Sequence, residues 1–150
     1  DWSSDVCSSD LGNIPGIFQM PKIFDGDKAN YGGNGIIKSA PAYLATIDVK
    51  VETLDSFNLE DVGFMKIDVE GFEENVLKGA ENTIKKYKPT MYIEDDRVEK
   101  SLSLRTYIKS LGYSIEEHKP PLYRANNFFG KKVNVWNMNY VSHNIICRPI

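Results

Sequence analysis

Cysteine is scarce in this chain of 150 residues, with only Cys7 and Cys147 present, and imidazole is equally scarce, with only His118 and His143. Long apolar runs are missing as well. Nothing approaches the roughly 20 apolar residues that a membrane-spanning helix needs, so no membrane span is expected. Residues 13–35 are rich in Gly, Pro, Asn and Asp but contain neither a P-loop nor a G-x-G-x-x-G turn, so no phosphate cradle is read there. What remains is 41% hydrophobic and 26% charged, the composition of one globular, soluble domain.

The first eleven residues, "DWSSDVCSSDL", show no periodicity and no basic-then-apolar leader pattern. They resemble, residue for residue, one reading frame of a common short-read sequencing adapter. Residues 1–11 are therefore read as a disordered scar, and residues 12–150 as the C-terminal part of a single domain whose N-terminal half is absent. Discounting Asp1, Asp5 and Asp10 leaves 18 acids against 18 Lys plus Arg, so the formal charge of −3 becomes zero. Neither nucleic acid nor an anionic membrane is then indicated as a partner. Discounting Cys7 leaves Cys147 alone, which excludes an internal disulfide and a Cys-based zinc site and fits a reducing, cytoplasmic setting.

Along the rest of the chain, strand and helix signals alternate. A short extended piece is expected around residues 17–23. "IDVKVET" alternates Ile47, Val49 and Val51 with Asp48, Lys50 and Glu52, the period of a half-buried strand. "GFMKIDV" is apolar enough to predict a central parallel strand covered on both faces. Gly71 opens a predicted helix with Phe72, Val76, Ala80, Ile84 and Tyr87 inward, acids in its first turn, lysines in its last and Pro89 as its stop. "PTMYIED" predicts the next strand. A helix from about Asp96, with Val98, Leu102 and Ile108 inward, is expected to end at Gly112, followed by the strand "YSIEEH", a loop over residues 120–139 and a last strand in "YVSHNIICR". This order predicts an α/β sheet, mostly parallel, with an antiparallel C-terminal hairpin.

Ligands in open α/β sheets bind outside the carboxyl ends of the strands. Asp68 and Glu70 lie there on one predicted strand, and Glu94 with Asp95 on the next. Residues two apart share a strand face, so Asp68 and Glu70 could reach one ligand. Equally, Glu70 could cap the following helix, Asp68 could pair with Lys66, and all four acids could form a solvated rim.

The run "FMKIDVEGFEENVLKGA", residues 64–80, resembles the signature of the FkbM family of S-adenosylmethionine-dependent methyltransferases. "VKVETLDSF", "PTMYIE", "YRANNFFG" and "SHNIICRP" agree in order with the same family. The resemblance implies a Rossmann-like class I methyltransferase sheet, N-terminally truncated here, with S-adenosylmethionine as cofactor. The acidic, Gly-rich turn and the ribose-binding acid of the family's donor site have no counterpart in residues 12–150. The implied activity is O-methylation of a hydroxyl on a small molecule, sugar, glycan or secondary metabolite, by an enzyme of which this chain alone would be inactive.

In methyl transfer to oxygen, positioning of the hydroxyl and removal of its proton are the tasks left to side chains. Asp68 and then Glu70 are the first candidates for orienting the acceptor or the donor's ammonium, with Glu94 third. His143 is a candidate base, although a lone histidine is more often structural. Tyr123, Asn126 and Asn127 are candidate acceptor-binding residues on a loop, or simple turn formers. Carboxylates at Asp68, Glu70 and Glu94 could ligate Mg²⁺ if they converged. Spacing does not show convergence, so no metal is assigned. A carboxylate-metal hydrolase and a noncatalytic Rossmann-like binding module remain open.

Overall fold

Thr90 to Glu94 alternates buried Met91 and Ile93 with half-buried Thr90, Tyr92 and Glu94, and it forms a strand flanked on both sides. The computed structural model describes residues 10–22, 36, 44–134 and 140–150. Among them the strands are β1 (Asp10–Leu11), β2 (Gly16–Pro21), β3 (Thr46–Glu52), β4 (Phe64–Ile67), β5 (Thr90–Glu94), β6 (Tyr113–His118) and β7 (Asn144–Pro149). The helices are α1 (Glu73–Lys78), α2 (Glu81–Tyr87) and α3 (Val98–Ser110). None of the described helices is long and apolar enough to cross a membrane.

Two sheets result, in the orders β1-β3-β2 and β4-β5-β7-β6. In the second, β4 and β5 are parallel, with Ile67 opposite Ile93, whereas β7 runs antiparallel to both β5 and β6. The expected C-terminal hairpin is present, and β4, β5 and β6 run in one direction with β7 alone opposed to them, so this sheet is mostly parallel as expected. β7 inserts between β5 and β6 and is the one antiparallel strand of this sheet.

The expectation of a central, doubly covered β4 is also corrected. Among the described residues β4 is an edge strand, and it alternates: Met65 and Ile67 are buried while Phe64 is 61% exposed. Its apolar content reflects one strong core face and one bare aromatic. The core lies between this sheet and the helices, with Leu77, Ile84, Met91, Ile93, Ile108 and Ile145 fully buried. Cys147 belongs to it, and burial pushes its thiol up to about 12, so it is an inert packing residue.

The single helix expected from Gly71 to Pro89 is broken into α1 and α2. At the break a Cβ on Gly79 would lie 1.9 Å from the carbonyl oxygen of Gly12, so the chain passes there backbone against backbone. The new helix start at α2 is capped from a distance: the Asp55 carboxylate accepts the Asn82 and Thr83 N–H groups at 3.0 and 2.8 Å and the Thr83 hydroxyl at 2.7 Å. The inward face of α3 differs from expectation too. Leu104 and Ile108 are buried, whereas Val98 and Leu102 are 87% and 79% exposed. Gly112, at φ +83°, ends this helix as expected.

Residues 1–9 lie outside the described residues. Asp10 and Leu11 do not behave as a free tail, because they pair with Val51 and Glu52 of β3, and Leu11 packs against the core.

Candidate functional site

The parallel register of β4 and β5 sets Asp68 and Glu94 side by side just past the last paired residues, Ile67 and Ile93. Beyond Asp68 the chain must leave the sheet and start α1 within four residues. Two consecutive left-handed residues make that turn, Glu70 at φ +53° and Gly71 at φ +89°. Glycine adopts this conformation freely, whereas glutamate does so at some cost, so Glu70 is held by its partners. Its carboxylate pairs with Arg97. The Gly71 N–H donates to Glu73 Oε1 at 2.8 Å, and Lys100 Nζ donates to the Gly71 carbonyl at 2.7 Å. Glu70 does not cap α1, whose N-cap Phe72 has no side-chain cap bond, and Glu73, 4% exposed, holds the turn before it instead.

This turn brings one carboxylate oxygen each from Asp68, Glu70 and Glu94 within 4.8 Å of one another. Their electrostatics differ. The Lys66 ammonium, 2.5 Å from Asp68 Oδ2, holds the Asp68 carboxyl below the usual carboxylate range. Burial raises Glu70 in spite of Arg97. Glu94 is displaced most: burial, and next the negative charge of Asp68, push it up to about 7. Its Oε2 is buried with no hydrogen-bond partner among the described residues. Two of the three acids are therefore matched by cations, and the third holds its proton to near neutrality.

A cavity of about 630 Å³ opens beside Glu94, lined also by Asp96, Arg97, Leu122, Tyr140 and His143. His143 lies just before β7, rather than on it, and reaches this cavity because its carbonyl accepts the Asp95 N–H at 2.9 Å. Asp95 itself turns to the other side of the sheet, where its side chain is 2% exposed and accepts from Arg105 Nε at 2.6 Å and Ser101 at 3.0 Å. His118 serves the sheet, its Nδ1 lying 2.9 Å from the Tyr92 hydroxyl.

Tyr123, Asn126 and Asn127 do not join the cavity lining. The Tyr123 hydroxyl donates to the Lys131 carbonyl, Asn127 bonds the backbone of Arg124 and Lys131, and Asn126 is exposed. Two of the three act as turn formers here. Sequence reasoning missed Arg97, which joins the Glu70 turn to the cavity. Its signal was the lone cation in "EDDRVE", the only basic residue between Lys88 and Lys100.

The Methyltransferase FkbM domain family matches residues 21–115. The chain belongs to that family. A solved FkbM methyltransferase structure from Methylobacillus flagellatus KT is similar in fold, with a TM-score of 0.50 and 22% identity over 67% of this chain. That match spans 23% of the other protein's length. Within the FkbM span fall Asp68, Glu70, Glu94 and Arg97, while His143 and the loop before β7 lie beyond it.

Proposed function

We propose that this FkbM chain supplies the acceptor side of an S-adenosylmethionine-dependent O-methyltransferase, and that Glu94 is the base that takes the acceptor's hydroxyl proton. The observation that carries this reading is the convergence of Asp68, Glu70 and Glu94 at the carboxyl ends of the parallel pair, with Glu94 the one of the three that lacks a cation among the described residues. A base is most effective when its pKa lies near the working pH, and about 7 meets that condition. Asp68 acts on Glu94 through its charge, raising the proton affinity of the base. Arg97, steadied by Glu70 and by Asp96 at 3.0 Å, faces the same cavity with donors suited to the oxygens of a polyhydroxylated acceptor.

The donor's fit is partial. The buried, unpartnered Glu94 Oε2 and the neighbouring acids suit a cationic or hydrogen-bond-donating group, so Asp68 and Glu70 would hold the donor's ammonium. When bound, the donor supplies an electrophilic methyl on a sulfonium sulfur. Its remaining contacts are assigned to a Rossmann-like half upstream of this chain, and the chain alone is inactive in this account.

Convergence also favours a second reading, a divalent cation on the three carboxylates. Lys66 and Arg97 already neutralise two of them and Glu94 tends to keep its proton, whereas a hard cation needs several ionised oxygens. Millimolar Mg²⁺ should accordingly leave the thermal midpoint unchanged, and a rise would favour the metal.

The test of the main reading is transfer of labelled methyl from S-adenosylmethionine to a panel of sugars, glycans and other hydroxylated metabolites. The chain joined to its upstream reading frame should label acceptor oxygen, and the chain alone should not. Transfer by the chain alone, or label on nitrogen, would overturn the assignment.

A further inference from the structure

The loop between β6 and β7 exposes two adjacent aromatic residues, Phe128 at 96% and Phe129 at 80%, with Val133 at 74% close behind. They do not hang from slack chain. Asn127 Nδ2 donates to the carbonyls of Arg124 and Lys131 at 2.9 and 2.7 Å, Asn127 Oδ1 accepts the Lys131 N–H at 3.0 Å, and Gly130 completes the turn at φ +60°. The two phenylalanines are thus presented at the tip of a hydrogen-bonded turn, their rings edge to face at 5.3 Å.

Charge around this tip is of one sign. From His118 to Ile150 the sequence has no Asp or Glu, against Lys119, Arg124, Lys131, Lys132 and Arg148. Lys119 pairs with Glu117 and Arg148 with Glu116. Arg124, Lys131 and Lys132 have no acidic partner among the described residues. Net charge conceals this arrangement, because the acids are concentrated in the first two thirds of the chain.

Apolar side chains that protrude among cations match the layered chemistry of an anionic bilayer surface, where rings reach the acyl boundary and cations meet phosphates. Single-stranded RNA would require open ring faces for stacking, and the edge-to-face pairing closes one face of the pair. The position of the loop adds a reason. Its two ends supply Leu122, Tyr140 and His143 to the cavity beside Glu94, so a docked loop would set that cavity against the lipid surface.

We infer that loop 119–134 docks this protein on an anionic lipid bilayer, with Phe128 and Phe129 entering the headgroup boundary and Arg124, Lys131 and Lys132 binding lipid phosphate. The inference does not rest on the methyltransferase reading, and its test needs no turnover. The 150-residue chain is sedimented with phosphatidylcholine vesicles with and without phosphatidylglycerol. Binding should require phosphatidylglycerol and weaken with salt. The double variants Phe128→Ser/Phe129→Ser and Lys131→Glu/Lys132→Glu should each bind at least about tenfold more weakly, with unchanged circular dichroism. In Phe128→Trp, the added indole should be quenched by brominated lipid. Equal binding to both vesicle types, absence of binding, or unaffected variants would overturn the inference. So would binding of the chain to a single-stranded RNA oligonucleotide but not to vesicles.

Discussion

Glu94 is the residue on which chemistry and stability meet. Its carboxyl titrates near 7 in the folded chain, against 4.5 for the group free of its surroundings. Between these values the folded state binds the extra proton, so this group's contribution to stability is complete below 4.5 and is lost as the pH rises through about 7. Asp68, held low, works in the opposite direction, but only in the acid range below 3.8. The thermal midpoint should therefore decline from about pH 5 to about pH 8, and Glu94→Gln should flatten that decline. A parallel decline in the variant would place the titrating group elsewhere. The acids themselves were legible in the sequence, since an apolar strand ran straight into them. Their differing states were not, because those depend on Lys66, on Arg97 some 27 residues beyond Glu70, and on a left-handed glutamate that no local pattern announces.

Elements were legible where one face dominates and illegible where two faces compete. The sequence placed β5 and β6 correctly because β-branched and aromatic residues cluster between clear turn signals, whereas β7 starts at Asn144, four residues later than "YVSHNIICR" suggests. In α3, apolar residues occur on two sides, and Val98 and Leu102 were read as inward although Leu104 and Ile108 are the buried pair. Ile108→Ala should cost about 2–5 kcal/mol, while Leu102→Ala should remain within about 0.5 kcal/mol, as measured by denaturant unfolding. Equal losses would show that the helix packs through both faces.

The break between α1 and α2 was hidden for another reason. The spacing of Val76, Ala80 and Ile84 continues across it, and only the approach of Gly12, far away in sequence, reveals it. Gly79→Ala would drive its Cβ onto the Gly12 carbonyl and should destabilise by about 1–3 kcal/mol. Gly63→Ala, with nothing within 4 Å, is the control and should change little. If Gly79→Ala were equally mild, the packing of Gly12 against the helix pair would be wrong.

At the scale of the whole molecule, the family was legible from one seventeen-residue run, and the sheet order was not. A parallel strand and an antiparallel one read alike when both are short and apolar, and nothing in the sequence said that β7 would separate β5 from β6. What the fold achieves is to gather the carboxyl ends of β4 and β5 and the start of β7 at one edge, where the three acids Asp68, Glu70 and Glu94 converge and Glu94 shares a cavity with Arg97 and His143. The proposed role of this edge is to remove a proton during methyl transfer. Its direct test is the rate of labelled methyl transfer against pH in an active FkbM protein that contains this sequence. The rate should rise through about 7 and level off, and Glu94→Gln should lower the plateau by roughly 10²–10⁴-fold. A variant that keeps its full rate and the same pH profile would contradict the account.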